Sequence, residues 1–338
     1  MLRTSSPFPL FLNWEQEKIT PFVYWSDRKK RPPPDEALFH FRSFSSNLQA
    51  SFQADQKKLP PPQSYRVLRR TYTPTWEEWS KNVEKALRSI ENKELEKVVL
   101  GRLCILECSE ILDPFAITAS LFQRSEGAFL FCLGVGSEGF LGATPERLFR
   151  RDQSSLTSEA LAGTCPRGKT PEEDLRLQKN LLQSPKDLRE IRPVQRYLQE
   201  RLDPICFTSS PMTPLSVHQT QTVQHLYSRY SGVFKEPLKD SETLSLLHPT
   251  PALSGSPQEK AMSLIQEVEP FDRGLFGGVV GWSTEKKSEW LVAIRSCLVR
   301  ENTAVLFSGA GIVEGSSAEK EWEELSQKIR IYDRIFVD

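Results

Sequence analysis

Two periods of apolar positions divide the chain into elements, one helical and one alternating. Thr75-Trp-Glu-Glu78 is a capping box, and Trp76, Trp79, Val83, Ala86, Leu87 and Ile90 follow at helical spacing, which predicts a helix opening at Thr75. Lys97-Val-Val-Leu-Gly-Arg-Leu-Cys-Ile-Leu106 is rich in branched residues and predicts a strand. Further strands are predicted at 128–135, 139–143, 158–161, 275–282, 290–296 and 303–308, and helices at 171–183, 185–202, 258–268 and 317–335. Thr170 with Pro171 and Glu173, and Ser184 with Pro185, supply helix starts.

Residues 1–74 read as an N-terminal segment of different character, with 75–338 as the main domain. The segment holds two Pro-Pro-Pro runs, 32–34 and 60–62, which mark loops, and strand-like pieces such as Ala37-Leu-Phe-His-Phe-Arg42. Strands in neighbouring pairs with helices inserted between them predict an α+β fold rather than a doubly wound one. No GxGxxG follows a strand and no Walker A motif occurs, so a dinucleotide or P-loop enzyme is not expected.

Composition narrows the function classes. The 338 residues carry 44 Lys+Arg against 44 Asp+Glu, and this balance argues against a nucleic-acid-binding face or a polybasic membrane surface. No stretch approaches the roughly 18 apolar residues that span a bilayer. The run near Met1–Trp14 is too short and proline-broken for a signal-peptide core. The six cysteines form no CxxC pair and no metal-ligand group with the histidines, and Cys104 and Cys108 share one strand face as small core residues. A reduced, cytoplasmic protein is expected.

Four segments set ionisable residues or glycines in places where chemistry is possible. Lys97 leads directly into Val-Val-Leu; by local sequence it either snorkels to solvent or is buried for use. Glu146 ends Gly142-Ala-Thr-Pro-Glu146, either as a solvated turn residue or as a placed carboxyl. In the last helix Trp322, Leu325, Ile329, Tyr332 and Phe336 form an apolar stripe, with Glu321, Glu324 and Lys328 alongside. Those three make either a salt-bridge ladder or an oxygen face for Mg²⁺. Glycine turns at Ala162-Gly-Thr164, Gly277-Gly278 and Ser308-Gly-Ala-Gly311 let backbone N–H groups approach an anion, though tight turns need glycine with no ligand at all.

From about residue 75 onward the chain resembles the chorismate-utilising enzymes: isochorismate synthase, salicylate synthase, anthranilate synthase component I and aminodeoxychorismate synthase. The strings that carry the resemblance are Lys97-Val-Val-Leu-Gly-Arg102, Gly142-Ala-Thr-Pro-Glu-Arg-Leu148, Leu161-Ala-Gly-Thr164 and Leu247-His-Pro-Thr-Pro-Ala-Leu-Ser-Gly255. They continue with Glu269-Pro-Phe-Asp-Arg-Gly274, Gly277-Gly-Val-Val-Gly-Trp282, Ala293-Ile-Arg-Ser296, Ser308-Gly-Ala-Gly-Ile-Val313 and Glu321-Trp-Glu-Glu324. Residues 1–74 match only loosely, chiefly at Val23-Tyr-Trp-Ser-Asp-Arg28.

The resemblance implies a single large chorismate-binding domain, with mixed or antiparallel sheets packed as a β-sandwich, helices outside and the active site between. It implies Mg²⁺ as cofactor, held by Glu190, Glu321 and Glu324, and chorismate, a dicarboxylate, as substrate. Lys97 matches the family's water-activating lysine and Glu146 its leaving-group acid. Arg295 matches a carboxylate ligand, Gly163 and Gly309 backbone contacts, and Lys328 a cation near the carboxylates. His248 is implied either to hydrogen-bond the substrate or merely to order its loop.

Within the family the isochorismate synthase branch fits best, through Lys97 and the string His248-Pro-Thr-Pro-Ala252. Anthranilate synthase lacks the lysine at the position of Lys97, uses ammonia and usually pairs with a glutamine amidotransferase, so no such partner is expected and a monomer is. Aminodeoxychorismate synthase often has a lysine where Ala162 stands. Salicylate synthase, which adds pyruvate elimination to the same first step, is the runner-up, and a catalytically silent module on the same fold is the reading from another class. The product would feed menaquinone, siderophore or other synthesis. Two departures stand out: Pro193, expected to kink the helix that carries Glu190, and Cys165, where many anthranilate-type relatives have arginine.

Overall fold

The computed structural model describes residues 22–27, 29, 33–45, 49–52 and 58–338. The run Met1–Trp14, Arg28 of the loosely matching string and Pro32 of the first proline run lie outside the described residues. Among the described residues the strands form two nine-stranded sheets. The first runs Phe22–Ser26, Phe129–Val135, Glu138–Thr144, Ser296–Arg300, Thr303–Ile312, Lys97–Cys108, Tyr65–Thr73 and Phe336–Val337, with Gly255–Ser256 also on Lys97–Cys108. The second runs Cys206–Ser210, Val223–Phe234, Ser155–Pro166, Arg147–Asp152, Lys287–Val292, Val279–Ser283, Leu38–Arg42 and Gln49–Phe52, with Ser216–Gln219 also on Val223–Phe234. Only the short Phe336–Val337 pairs in parallel among these strands.

Alternation along the strands decides what each face buries. In Thr303–Ile312, Val305 and Phe307 face the second sheet and share one core with its Val280 and Leu291, with Phe131 and Phe140 of their own sheet and with Phe276. Ala310 and Ile312 point outward, onto the helices Trp76–Glu91, Gln258–Val268 and Ala318–Ile329. Cys104 and Cys108 likewise share the outer core of the first sheet. Helices Pro171–Gln183, Pro185–Leu202 and Asp240–Leu247 cover the second sheet through Leu181, Ile191, Val194, Leu198, Leu244 and Leu247. The architecture is the expected α+β sandwich with helices outside.

The predicted helix starts form as read. Thr75 Oγ1 accepts from the Glu78 N–H while the Glu78 carboxylate accepts from the Thr75 N–H at 2.8 Å. Thr170 and Ser184 cap their helices too, although Glu173 accepts from the N–H of Lys169 rather than that of Thr170. The helix Pro185–Leu202 runs past Pro193 without a break.

Three expectations need correction. The strand expected at 275–282 begins only at Val279, because Gly277 takes φ +70° and Gly278 N–H closes a turn on Leu275 O. The helix expected over 317–335 ends at Ile329, then tightens into one turn at Arg330–Tyr332 before the short strand Phe336–Val337. Its stripe residues Leu325, Ile329, Tyr332 and Phe336 are buried all the same. The strand expected at 290–296 is two strands in different sheets: Lys287–Val292 belongs to the second and Ser296–Arg300 to the first.

That last break organises the molecule. The chain crosses between sheets at Ala293–Arg295, and it crosses again at Pro145–Glu146, between Glu138–Thr144 and Arg147–Asp152. The two crossings run side by side, tied by Val292 N–H to Glu146 O at 3.1 Å and by Ala143 N–H to Arg295 O at 3.2 Å.

Candidate active site

A cleft of about 660 Å³, open solvent at its mouth included, lies at the crossings. Glu146, Gly163, Glu190, Arg295, Gly309 and Lys328 line it, together with Val99, His225, Arg273 and Phe307. Six residues expected at the site from the sequence are thus brought to one surface. Lys97, Glu321 and Glu324 lie behind that surface, and His248 lies behind its wall.

Lys97 shares the inner face of its strand with Val99 and is fully buried. Its Nζ donates to Glu190 O at 3.1 Å and stands 3.7 Å from Glu190 Oε1. Burial pushes its amine below the usual lysine value, against the opposing pull of Glu190 and Glu146. Glu146, 4% exposed at its crossing, has its carboxyl pushed up to about 8 by burial, with Lys97 working the other way. A base biased toward neutral and an acid biased toward protonated therefore act on one another in one site.

Arg295 takes φ +52°, a left-handed conformation unusual outside glycine, at the end of its crossing. The Tyr332 hydroxyl donates to Arg295 O at 2.9 Å and helps to hold it there. The guanidinium donates to Lys328 O at 3.1 Å and reaches Nε2 of His225 at 3.1 Å. Arginine has no acceptor, so Nε2 of His225 must accept, and its proton sits on Nδ1. Nδ1 then donates toward Gly163 O at 3.2 Å, with Thr164 Oγ1 at 3.1 Å. Burial first, then Arg295, holds the ring well below the usual histidine value, so His225 is a neutral link between Arg295 and the Gly163 turn.

His225 was missed in the sequence. It lies on Val223–Phe234, a strand that the pattern did not predict, and Gln-His-Leu in an ordinary apolar run carries no signal of its own. Gly163 is the bulged residue opposite it: Thr164 pairs with His225 and Ala162 with Leu226, leaving Gly163 between them at φ +71°. His248 does not reach the cleft. Its Nε2 is 2.8 Å from Gly277 O and its ring meets Phe44 edge-on, contacts that hold it in its loop.

The carboxylates form a second layer. Glu190 comes from Pro185–Leu202, Glu321 and Glu324 from Ala318–Ile329, and Lys328 bridges Glu324 Oε1 and Gly309 O at 2.7 Å each. A Cβ on Gly311 would overlap Glu190 Oε1, so glycine there is what lets the carboxylate lie against the strand. Glu190 Oε2 and Glu321 Oε2 are buried with no hydrogen-bond partner, while Glu324 Oε1 has the Lys328 ammonium at 2.7 Å and Glu321 Oε1 that of Lys186 at 3.0 Å. Burial and the neighbouring Glu324 push Glu321 up to about 7. For Glu324 burial acts upward too, but Lys328 and Lys186 outweigh it and hold the group below the usual carboxylate value. In chemistry, hard and buried carboxylate oxygens are the donor set that Mg²⁺ takes, although among the described residues the three are not gathered as a metal cluster.

A sandwich that gathers a buried acid and cationic side chains at one cleft, with a buried lysine behind it, has the chemistry of a site for a small anion. The chain belongs to the chorismate binding enzyme family, whose sequence profile matches residues 35–335. It is 33% identical over 311 residues to isochorismate synthase EntC of Escherichia coli K12, covering 90% of this chain and 78% of that protein. To isochorismate synthase 2, chloroplastic, of Arabidopsis thaliana it is 39% identical over 267 residues, covering 78% of this chain. The chain spans about half the length of that plant protein, 48%. The structure of MenF, the menaquinone-specific isochorismate synthase of Escherichia coli, superposes with a TM-score of 0.83 at 25% identity, over 97% of this chain and 92% of that one.

Proposed function

We propose that this chain interconverts chorismate and isochorismate, with Mg²⁺ as cofactor. The observation that carries the reading is the opposed pair in one site: Lys97 biased toward the neutral amine and Glu146 biased toward the protonated acid. Lys97 takes a proton from water as the oxygen bonds to C2 of the ring. The ring double bonds shift, the C4–O bond breaks, and Glu146 gives its proton to the departing hydroxyl, which leaves as water. One water enters and one leaves, so substrate and product differ little in energy. In reverse the two groups exchange roles.

Neutral Lys97 can donate to Glu190 O and still offer its lone pair to water. Arg295, oriented by His225, and Lys328 supply positive charge for the substrate carboxylates, and the planar guanidinium suits a carboxylate. Gly163 and Gly309 leave the backbone open to the ligand. Bound at Glu190, Glu321 and Glu324, Mg²⁺ would supply charge neutralisation and a fixed orientation for a substrate carboxylate.

Residues 75–338 carry the chemistry in this reading, and strands from the segment before residue 74 pair within both sheets. Among the described residues no helix is long and apolar enough to cross a membrane. A cytoplasmic enzyme acting as a monomer, without a glutamine amidotransferase, completes the reading.

The test is incubation with chorismate and Mg²⁺, without ammonia or glutamine, and separation of the products. A stable mixture of chorismate and isochorismate, reached from either side, is the expected result. Stoichiometric pyruvate with a fluorescent aromatic product would instead make the chain a salicylate synthase. Bound but unconverted chorismate would make it a silent module.

A further inference from the structure

The three glutamates converge on a cation that the chain itself supplies. Lys186 stands one turn before Glu190 on the same helix. Its Nζ lies 3.0 Å from Glu321 Oε1, 3.7 Å from Glu324 Oε2 and 3.8 Å from Glu190 Oε2. Glu190 has Lys97 beside it and Glu324 has Lys328, but Lys186 is the one ammonium among these that faces all three acids. Among the described residues no three acidic, histidine or cysteine side chains are gathered closely enough to hold a metal ion. The carboxylates are thus spaced around an ammonium.

An ammonium and a divalent cation repel at this range, and the same oxygens cannot surround both. Lys186 has a way out that the acids lack: its side chain is 25% exposed, against 1–10% for the three carboxylates, and its flexible stem can carry the charge to solvent. The charge that leaves is therefore the lysine's, and the acids need only draw together.

We propose that Lys186 is the positioning residue of the carboxylate site, its resident counter-cation, which a divalent metal displaces on binding. This rests on the reading of Glu190, Glu321 and Glu324 as metal ligands. Without metal, Lys186 keeps three acids from forcing one another apart. With metal, it swings out and the glutamates close on the ion. Metal affinity is then the difference between two occupants of one site, so it is weaker than the acids alone would give.

Two measurements test the exchange. In the wild-type chain, acylation of Lys186 by an amine reagent, read by peptide mass spectrometry, should rise severalfold when saturating Mg²⁺ is added. Labelling that stays level or falls would overturn the proposal. In Lys186→Met, Mn²⁺ binding followed by the loss of the free-ion spin-resonance signal should tighten by about tenfold or more, while Lys186→Arg, which keeps the charge, should stay within about threefold of wild type. Equal or weaker Mn²⁺ binding by Lys186→Met would sink the exchange and leave the ligand reading standing. No Mn²⁺ binding by wild type or by Lys186→Met would sink both. If Lys186→Met folds only with metal present, that dependence supports the exchange, and the wild-type labelling decides independently of it.

Discussion

Glu146 and Arg295 stand on adjacent crossings between the two sheets, and each main-chain oxygen accepts a hydrogen bond from the other crossing's flank, from Val292 N–H and Ala143 N–H respectively. The acid and the cation of the cleft are therefore held by backbone, not by loop packing alone. A scaffold of this kind can keep a raised carboxyl group in place through turnover.

Glu146 should set the alkaline limit of activity. It must be protonated to act, so kcat/KM should fall as pH rises through about 8, while an acidic limit should come from protonation of Lys97. Glu146→Gln should cut kcat by about 10²–10⁴-fold. Its stability effect has a definite sign. The folded state holds this proton more tightly than the unfolded one, so wild type loses stability between the ordinary carboxyl value and about 8. Melting curves should show Glu146→Gln gaining on wild type at pH 9 and losing that advantage by pH 5.

Lys97→Ala should abolish product formation, with kcat down by about 10²–10⁴-fold, and leave chorismate binding within a few-fold of wild type. Steady-state kinetics and a binding titration on the same sample separate the two effects. Turnover near wild type would show that another group activates water.

Gly311→Ala should weaken the metal site without removing a ligand. The new Cβ would overlap Glu190 Oε1, and the carboxylate would have to turn away from the strand. Displacing a supported ligand typically costs about 10–100-fold in metal affinity, which calorimetric titration with Mg²⁺ can read. Unchanged affinity would remove Glu190 from the metal set.

His225→Ala should act through Arg295. The guanidinium would lose an acceptor at 3.1 Å and the Gly163 turn a donor, so KM should rise by about tenfold with a smaller change in kcat. His225→Gln, which offers an amide oxygen, should recover part of the loss. Equal KM in all three proteins would make His225 a packing residue only.

Arg273→Ala should be a stability variant first. Arg273 pairs with Glu269, donates to Leu253 O at 2.8 Å and Val99 O at 2.7 Å, and is almost wholly enclosed. Its removal leaves a buried carboxylate without its cation, which typically costs about 3–5 kcal/mol. Chemical denaturation should show that loss. A change under about 1 kcal/mol would mean that Glu269 finds another partner.

Local rules made the helix starts, the long strand after Lys97 and the α+β class readable, because capping boxes and alternation act within a few residues, while the sandwich was implied by the family resemblance. The nine family strings located Glu146, Arg295 and the two acids of the last helix. The same strings gave no hint of Lys186, since a lysine at a helix start looks like any solvated one. Val223–Phe234 was missed because its apolar and polar residues do not alternate cleanly: one stretch is buried on both faces and another is open.

The sequence by itself determined many of the elements after Thr75, the family and the kinds of groups proposed to do the chemistry. Only the tertiary structure decided that residues 290–296 change sheets and that His248 backs the wall while His225 holds Arg295. It also decided that Lys186 sits among three acids. Periodicity records which way a side chain points relative to its own backbone, and that is a local property. Which sheet a strand joins, and which charge ends opposite which, depends on contacts between residues such as Lys186 and Glu321, 135 positions apart, and no local period encodes them.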